Sequence, residues 1–127
     1  MVVLTQEILD ELAAYIANSL TSHLTVGTGD NPITLASTDL ETPVQIGASD
    51  RNKAVNDIEV TDNFFVKEYI LTTAEPDSQP VNIGEVGIQQ GLNVTDKLKA
   101  GFIFIPSTKD NNSKWTMRFS GKVIEEI

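Results

Sequence analysis

Residues 26–32 read VGTGDNP, two glycines one residue apart followed by polar residues and a proline. Such a stretch could cradle a phosphate on successive backbone amides, or it could be a turn that ends a strand and opens a detour. A phosphate loop of the Walker type needs Lys and then Ser or Thr after its last glycine, and neither is present. A dinucleotide-binding turn needs a third small residue and a following helix. Pro32 stands at that third position, and no helical stripe comes after it. The turn is therefore the reading. Gly27 and Gly29 are expected to take backbone angles closed to other residues, and Pro32 to fix the way into the loop.

Other side chains able to do chemistry are sparse. His23 is the single histidine, so neither a two-histidine metal site nor a facial triad can be assembled. No serine lies in a GxSxG elbow that would complete a triad with it. Its place where a helical pattern gives way to a strand predicts capping or packing. The acids lack the Asp/Asn–Gly–Glu order of a calcium loop. A glycosidase pair of acids stays open in principle, although 127 residues rarely build such a cleft. Glu85, in IGEVG, stands out. Strict alternation puts it on one face with Val81 and Ile83, so it should be at least partly buried and must be paired or neutralised. It is expected to accept hydrogen bonds from Arg51, Arg118 or nearby backbone amides and so pin one strand to its neighbours. There is no cysteine, which excludes disulfides, thiolate catalysis and cysteine-bound zinc. No catalytic residues, metal or cofactor are expected, and no enzymatic activity.

Bulk properties narrow the partners. Eighteen acids against nine bases give a net charge of −9, and the bases are scattered. Nucleic acid and anionic membrane surfaces, both of which demand clustered Lys and Arg, are unattractive partners. No apolar run approaches membrane-spanning length, and MVVLTQEILDEL lacks a basic flank before an uninterrupted apolar stretch, so no export signal is expected. With 127 residues, a 40% hydrophobic share and few aromatics, one domain over residues 1–127 with an aliphatic core is expected.

The elements that must position these residues can be read from periodicity. Ile8, Leu9, Leu12, Ala13, Ile16 and Leu20 recur at helical spacing, and Thr5 is suited to cap the first turn. This predicts an amphipathic helix over 5–20. From residue 22 onward the pattern is that of strands: Leu24 and Val26, Val44 and Ile46, then AVNDIEV, FFVKEYILTT, VNIGEVGI, AGFIFIPS and KWTMRFSGKVI. Residues 28–42 read as a long loop, and 75–80 and 108–113 as exposed turns. In the last strand Trp115, Met117, Phe119, Gly121 and Val123 share one face and charged or hydroxyl residues the other. The fold class is mainly β: an antiparallel, jelly-roll-like sandwich with one N-terminal helix. AGFIFIPS is apolar on both faces, Phe102 and Phe104 on one and Ile103 and Ile105 on the other. The second face needs a cover, from the helix or from a neighbouring subunit, and the helix is the expectation.

Three pieces in order, HLTVGTGDNPITLASTDLETPV, VNIGEVGIQQG and KWTMRFSGKVI, preceded by a helix, resemble a group of tailed-virus structural proteins found in tails, baseplates, collars and fibres. Gly27, Thr28 and Gly29 match the group's glycine turn, and Asp39 and Leu40 its Asp-containing piece. Arg51 stands where a basic residue is frequent. Ile83, Glu85, Val86, Gly87 and Ile88 match its I-x-E-V-G-L segment, and Ile105, Pro106, Lys109 and Trp115 its closing portion. The resemblance covers about residues 5 to 124. Gly84, the TTAEPDSQPVN turn and the polar QQGLNVTDKLKAG depart from the pattern. It implies a non-enzymatic virion component that forms a homo-oligomer and contacts other virion proteins through the loops at 28–42, 75–80 and 89–97. A sugar- or host-surface-binding module, with Trp115, Tyr69 and Phe65 as its aromatics, is the alternative.

Overall fold

A computed structural model describes residues 2–20, 22–93 and 98–126. Helix α1, Gln6–Tyr15, is capped by Thr5, whose hydroxyl accepts the Ile8 N–H at 3.5 Å. Its trace continues through a π-helical segment, Ile16–Leu20. Eight strands follow: β1 His23–Gly27, β2 Pro43–Val44, β3 Lys53–Ala54, β4 Asp57–Thr61, β5 Phe64–Leu71, β6 Val81–Gln89, β7 Leu98–Lys109 and β8 Trp115–Lys122. All pairings are antiparallel. One sheet runs β2-β1-β6-β7, with β3 also pairing β1; the other runs β4-β5-β8. The antiparallel β-sandwich with one N-terminal helix is thus observed. None of the described helices is long and apolar enough to cross a membrane.

The two sheets meet over Leu24, Val26, Ile83, Val86 and Ile88 from the larger sheet and Tyr69 and Leu71 from the smaller, with Ile46 beside them. Trp115, Met117 and Phe119 close the layer from β8, as period-two alternation requires. Alternation also carries Phe65 and Lys67 inward on β5. Lys67 is fully buried, and desolvation pulls its ammonium down to about 8. Beyond the reach of the larger sheet, α1 and the π-helical segment take over the cover: Ala13 and Ala17 pack on Phe65, with Phe119 and Val123 alongside. Small residues on that helical face let the rings approach. The helix therefore completes the smaller sheet and does not cover β7, contrary to expectation. Phe104 turns into the core, whereas Ile103 and Ile105 stay exposed.

A second departure lies in β6. Its register against β7 slips between Ile83 and Glu85, where Ile83 pairs Ser107 and Glu85 pairs Ile103. Three residues of β7 thus stand against Gly84, a bulge that shifts the alternation by one. Ile83, Val86 and Ile88 all face the core. Glu85 turns to the opposite, outer face with its pairing partner Gly27, and is not on the face of Val81 and Ile83. The turn expected at 108–113 also begins later, because β7 runs to Lys109.

Candidate functional site

Loop 28–42 folds back over the outer face of the larger sheet. Apolar contact supplies part of the cover. A Cβ on Gly87 would meet Leu98 Cδ1 at 2.5 Å and Leu40 Cδ2 at 3.2 Å, and one on Gly101 would meet Ile33 Cδ1 at 2.8 Å. Both glycines leave room for the aliphatic side chains laid across them. The segment Gly84–Gln89 is consequently buried on both sides.

Glu85 is the anchor of this layer. It is fully buried, and its carboxylate accepts the Thr42 N–H at 2.8 Å and the Glu41 N–H at 3.3 Å. The loop is tied down at its other end by the Thr28 N–H, which donates to Thr42 O at 2.9 Å. A Cβ on Gly27 would fall 2.5 Å from Thr42 O and inside contact distance of Glu85 Oε1. One on Gly29 would overlap Glu85 Oε2 and lie 2.8 Å from Glu41 Cβ. The two glycines of VGTGDNP thus make room for a carboxylate of their own chain. Neither has a positive φ; among the described glycines only Gly91 does, at 116°. The expectation that these positions need special backbone angles is corrected: space, not torsion, selects glycine. Pro32 lies exposed in the loop beyond them.

A second cluster lies on the same face. Arg51 grips Asp39 with both terminal nitrogens, Nη1 at 2.9 Å from Oδ2 and Nη2 on Oδ1, and Nη2 also reaches Thr25 Oγ1 at 3.2 Å. Gln89 Nε2 donates to Asp39 Oδ1 at 2.9 Å, while its Oε1 accepts from Asn52 Nδ2 at 2.8 Å. Asn52 Nδ2 also donates to Gly91 O at 3.0 Å. This chain of bonds joins loop 28–42, the segment before β3 and the end of β6. Glu85 is therefore not the partner of Arg51. Nor does it meet Arg118, which pairs with Glu68 at 3.0 Å on the other sheet. Of the three expected donors, backbone amides hold the carboxylate.

The remaining residues singled out by sequence sit elsewhere. Trp115 is half-buried against the core from β8. His23 accepts the Gly91 N–H on Nδ1 at 2.9 Å, a packing role, and burial with the nearby Lys67 charge holds its pKa below the ordinary 6.5. Tyr69 and Phe65 are buried, so they form no open platform for a sugar. Sequence reasoning missed Asn52, Gln89 and the buried Lys67, and gave Lys109 only through the motif match; the Lys109 Nζ is buried and donates to Thr72 O at 2.9 Å. Among the described residues no group of three or more His, Asp or Glu could hold a metal ion. Part of the expected contact loop 89–97 lies outside the described residues.

Chemically, the arrangement is a latch. Both oxygens of the Glu85 carboxylate are turned to amides of its own chain, and Asp39 is held between Arg51 and Gln89. No known protein family matches the sequence, and no curated protein does. The likeness to tailed-virus proteins accordingly rests on the quoted motifs.

Proposed function

We propose that this chain is a non-enzymatic structural component of a tailed virus particle, placed in the tail, baseplate, neck or a capsid-surface attachment, and that it acts through self-assembly and contacts with other virion proteins. The observation that carries this reading is the buried Glu85 latch. The residues that make the sequence resemble virion proteins, the GTG turn and I-x-E-V-G, are in contact with one another and engaged in fixing a loop. A fully buried carboxylate turned inward on two amides is suited to rigidity rather than to contact with a substrate. A rigid loop with Leu35 wholly exposed is suited to repeated protein contact. Native mass spectrometry tests the reading. A closed ring or trimer is expected; a stable monomer that binds glycans or turns over a substrate overturns it.

A further inference from the structure

Each sheet ends in an edge strand, β7 in the larger and β8 in the smaller, whose outer edge has no partner strand among the described residues, and the two line a common groove. Between them the core is open. One groove of about 310 Å³ is lined by Val86, Ala100, Phe102, Met117 and Phe119 among others; a second of about 300 Å³ continues it past Phe104 and Trp115. Phe102 stacks obliquely on Phe104, ring centres 5.7 Å apart, yet is 60% exposed. This apolar seam has no cover within the described residues.

The charge around it is distinctive. The exposed bases among the described residues are Lys99, Lys114, Arg118 and Lys122, and all four lie on β7, on β8 or directly before β8. Arg51, Lys53, Lys67 and Lys109 are drawn inside. In a chain of net charge −9, the two strands that flank the seam thus carry the exposed bases of the described residues, and one of them, Arg118, lines the first groove while pairing with Glu68. Arg118 and Lys122 on β8, with Lys114 directly before it, oppose pairing with the same edge of another copy, and Pro106 interrupts the donors of β7. What the border admits is an apolar element with acidic flanks. Helix α1 has that character. Its Ala13 face is packed inward, while Ile8, Leu12 and Tyr15, at i, i+4 and i+7, form a second stripe, 41, 40 and 57% exposed. Glu11 and, a little farther round, Glu7 flank it on one side, and α1 carries no base. Within one chain the helix lies over β4 and β5, while the seam opens beyond β8.

We infer that the β7–β8 seam receives the Ile8–Leu12–Tyr15 stripe of α1 from a second copy of this chain, joining copies head to tail. The inference rests on the self-assembly in the proposed function and names its interface. A contact between two different patches closes into a ring if its rotation allows and otherwise extends as a filament. Raised salt weakens it, because acids and bases meet at its rim.

Sedimentation and native mass measurements on the full chain test this with two surface variants, Tyr15→Lys in the helix and Phe102→Asp in the seam. Each alone is expected to weaken self-association by about tenfold or more, as loss of an aromatic anchor does, with the circular dichroism of the folded protein retained. Mixed in equal amounts, they should form a one-to-one heterodimer, since one keeps a sound seam and the other a sound helix. Should either variant assemble as the wild type does, or the mixture stay monomeric, the inference fails while self-assembly stands. A wild type that is monomeric at every concentration overturns both. If the variants do not fold, the milder Tyr15→Ser and Phe102→Ser replace them, with the same outcomes deciding.

Discussion

Replacing Glu85 by Gln isolates the latch, because the amide keeps the shape of the carboxylate and changes its charge and one acceptor. The wild-type side chain accepts two backbone N–H groups, from Thr42 at 2.8 Å and Glu41 at 3.3 Å, at a fully buried position. A glutamine oxygen turned to Thr42 retains the shorter bond without its charge, at a cost of about 1 kcal/mol. Its NH₂ then faces the Glu41 N–H, donor against donor, and a buried group left unsatisfied costs about 1–3 kcal/mol. The sum is a destabilisation of about 2–4 kcal/mol. For a domain of this size roughly 4 °C accompanies each kcal/mol, so thermal unfolding followed by circular dichroism should fall by about 8–16 °C. Hydrogen exchange locates the loss: the amides of Glu41 and Thr42 should exchange faster, while those of β5 and β8 change only as far as global stability does. A melting temperature within about 1 °C of wild type, with unchanged exchange at Thr42, refutes the latch.

The same geometry makes other substitutions informative. Gly29→Ala should destabilise by about 2 kcal/mol or more, since the new methyl overlaps a carboxylate oxygen and Glu41 Cβ; in a Glu85→Ala background the penalty should shrink, a coupling read by a double-mutant cycle. Asp39→Ala strips Arg51 and Gln89 of a shared acceptor and should cost about 2–4 kcal/mol, with loop 28–42 becoming the first site of limited proteolysis. Gly91→Ala should cost about 1–2 kcal/mol by chemical denaturation, because φ of 116° is closed to alanine. His23 titrates below its ordinary 6.5 in the fold, so the unfolded chain takes up its proton first as pH falls. Stability should therefore decline as pH drops through about 6.5 towards the folded value, and His23→Gln should flatten that slope in urea titrations. Glu75, held below 4.5 by Lys53 and Thr72 against the opposing effect of burial, acts in a separate window below 4.5.

The strands were legible where one face is dry and the other wet. Trp115 to Lys122 alternates without interruption, and β8 follows it. The phase of β6 was not legible, because a bulge is a relation between two strands. Gly84 can lie where a Cβ would meet Gly29 O at 3.1 Å and Pro106 Cγ at 3.2 Å only because β7 inserts extra residues opposite it. IGEVG and FIFIPS each look regular alone. The importance of Glu85 was legible from its charge in an apolar strand, but its partners were not. Glu41 and Thr42 lie more than forty residues away in a loop without periodicity, and they use backbone amides, which no side-chain pattern announces. Arg51 and Asp39 show the same difficulty: both were singled out, and their mutual pairing needed the fold.

The physical reason for placing a charge beneath a loop follows from the sheet it covers. An antiparallel sheet commonly keeps one face in water, yet here Gly84 to Gln89 are buried on both. Aliphatic cover from Ile33, Leu40 and Leu98 could hold loop 28–42 down in several registers, since apolar contact is non-directional. A carboxylate on two particular amides admits one register, and a displaced loop would leave the charge buried and unpaired, which costs far more than a lost contact. The glycines at 27 and 29 belong to the same device, because a side chain at either would lift the loop off its anchor. Rigidity of this kind is what a repeated contact surface requires, and it follows from the same residues that first suggested a phosphate loop.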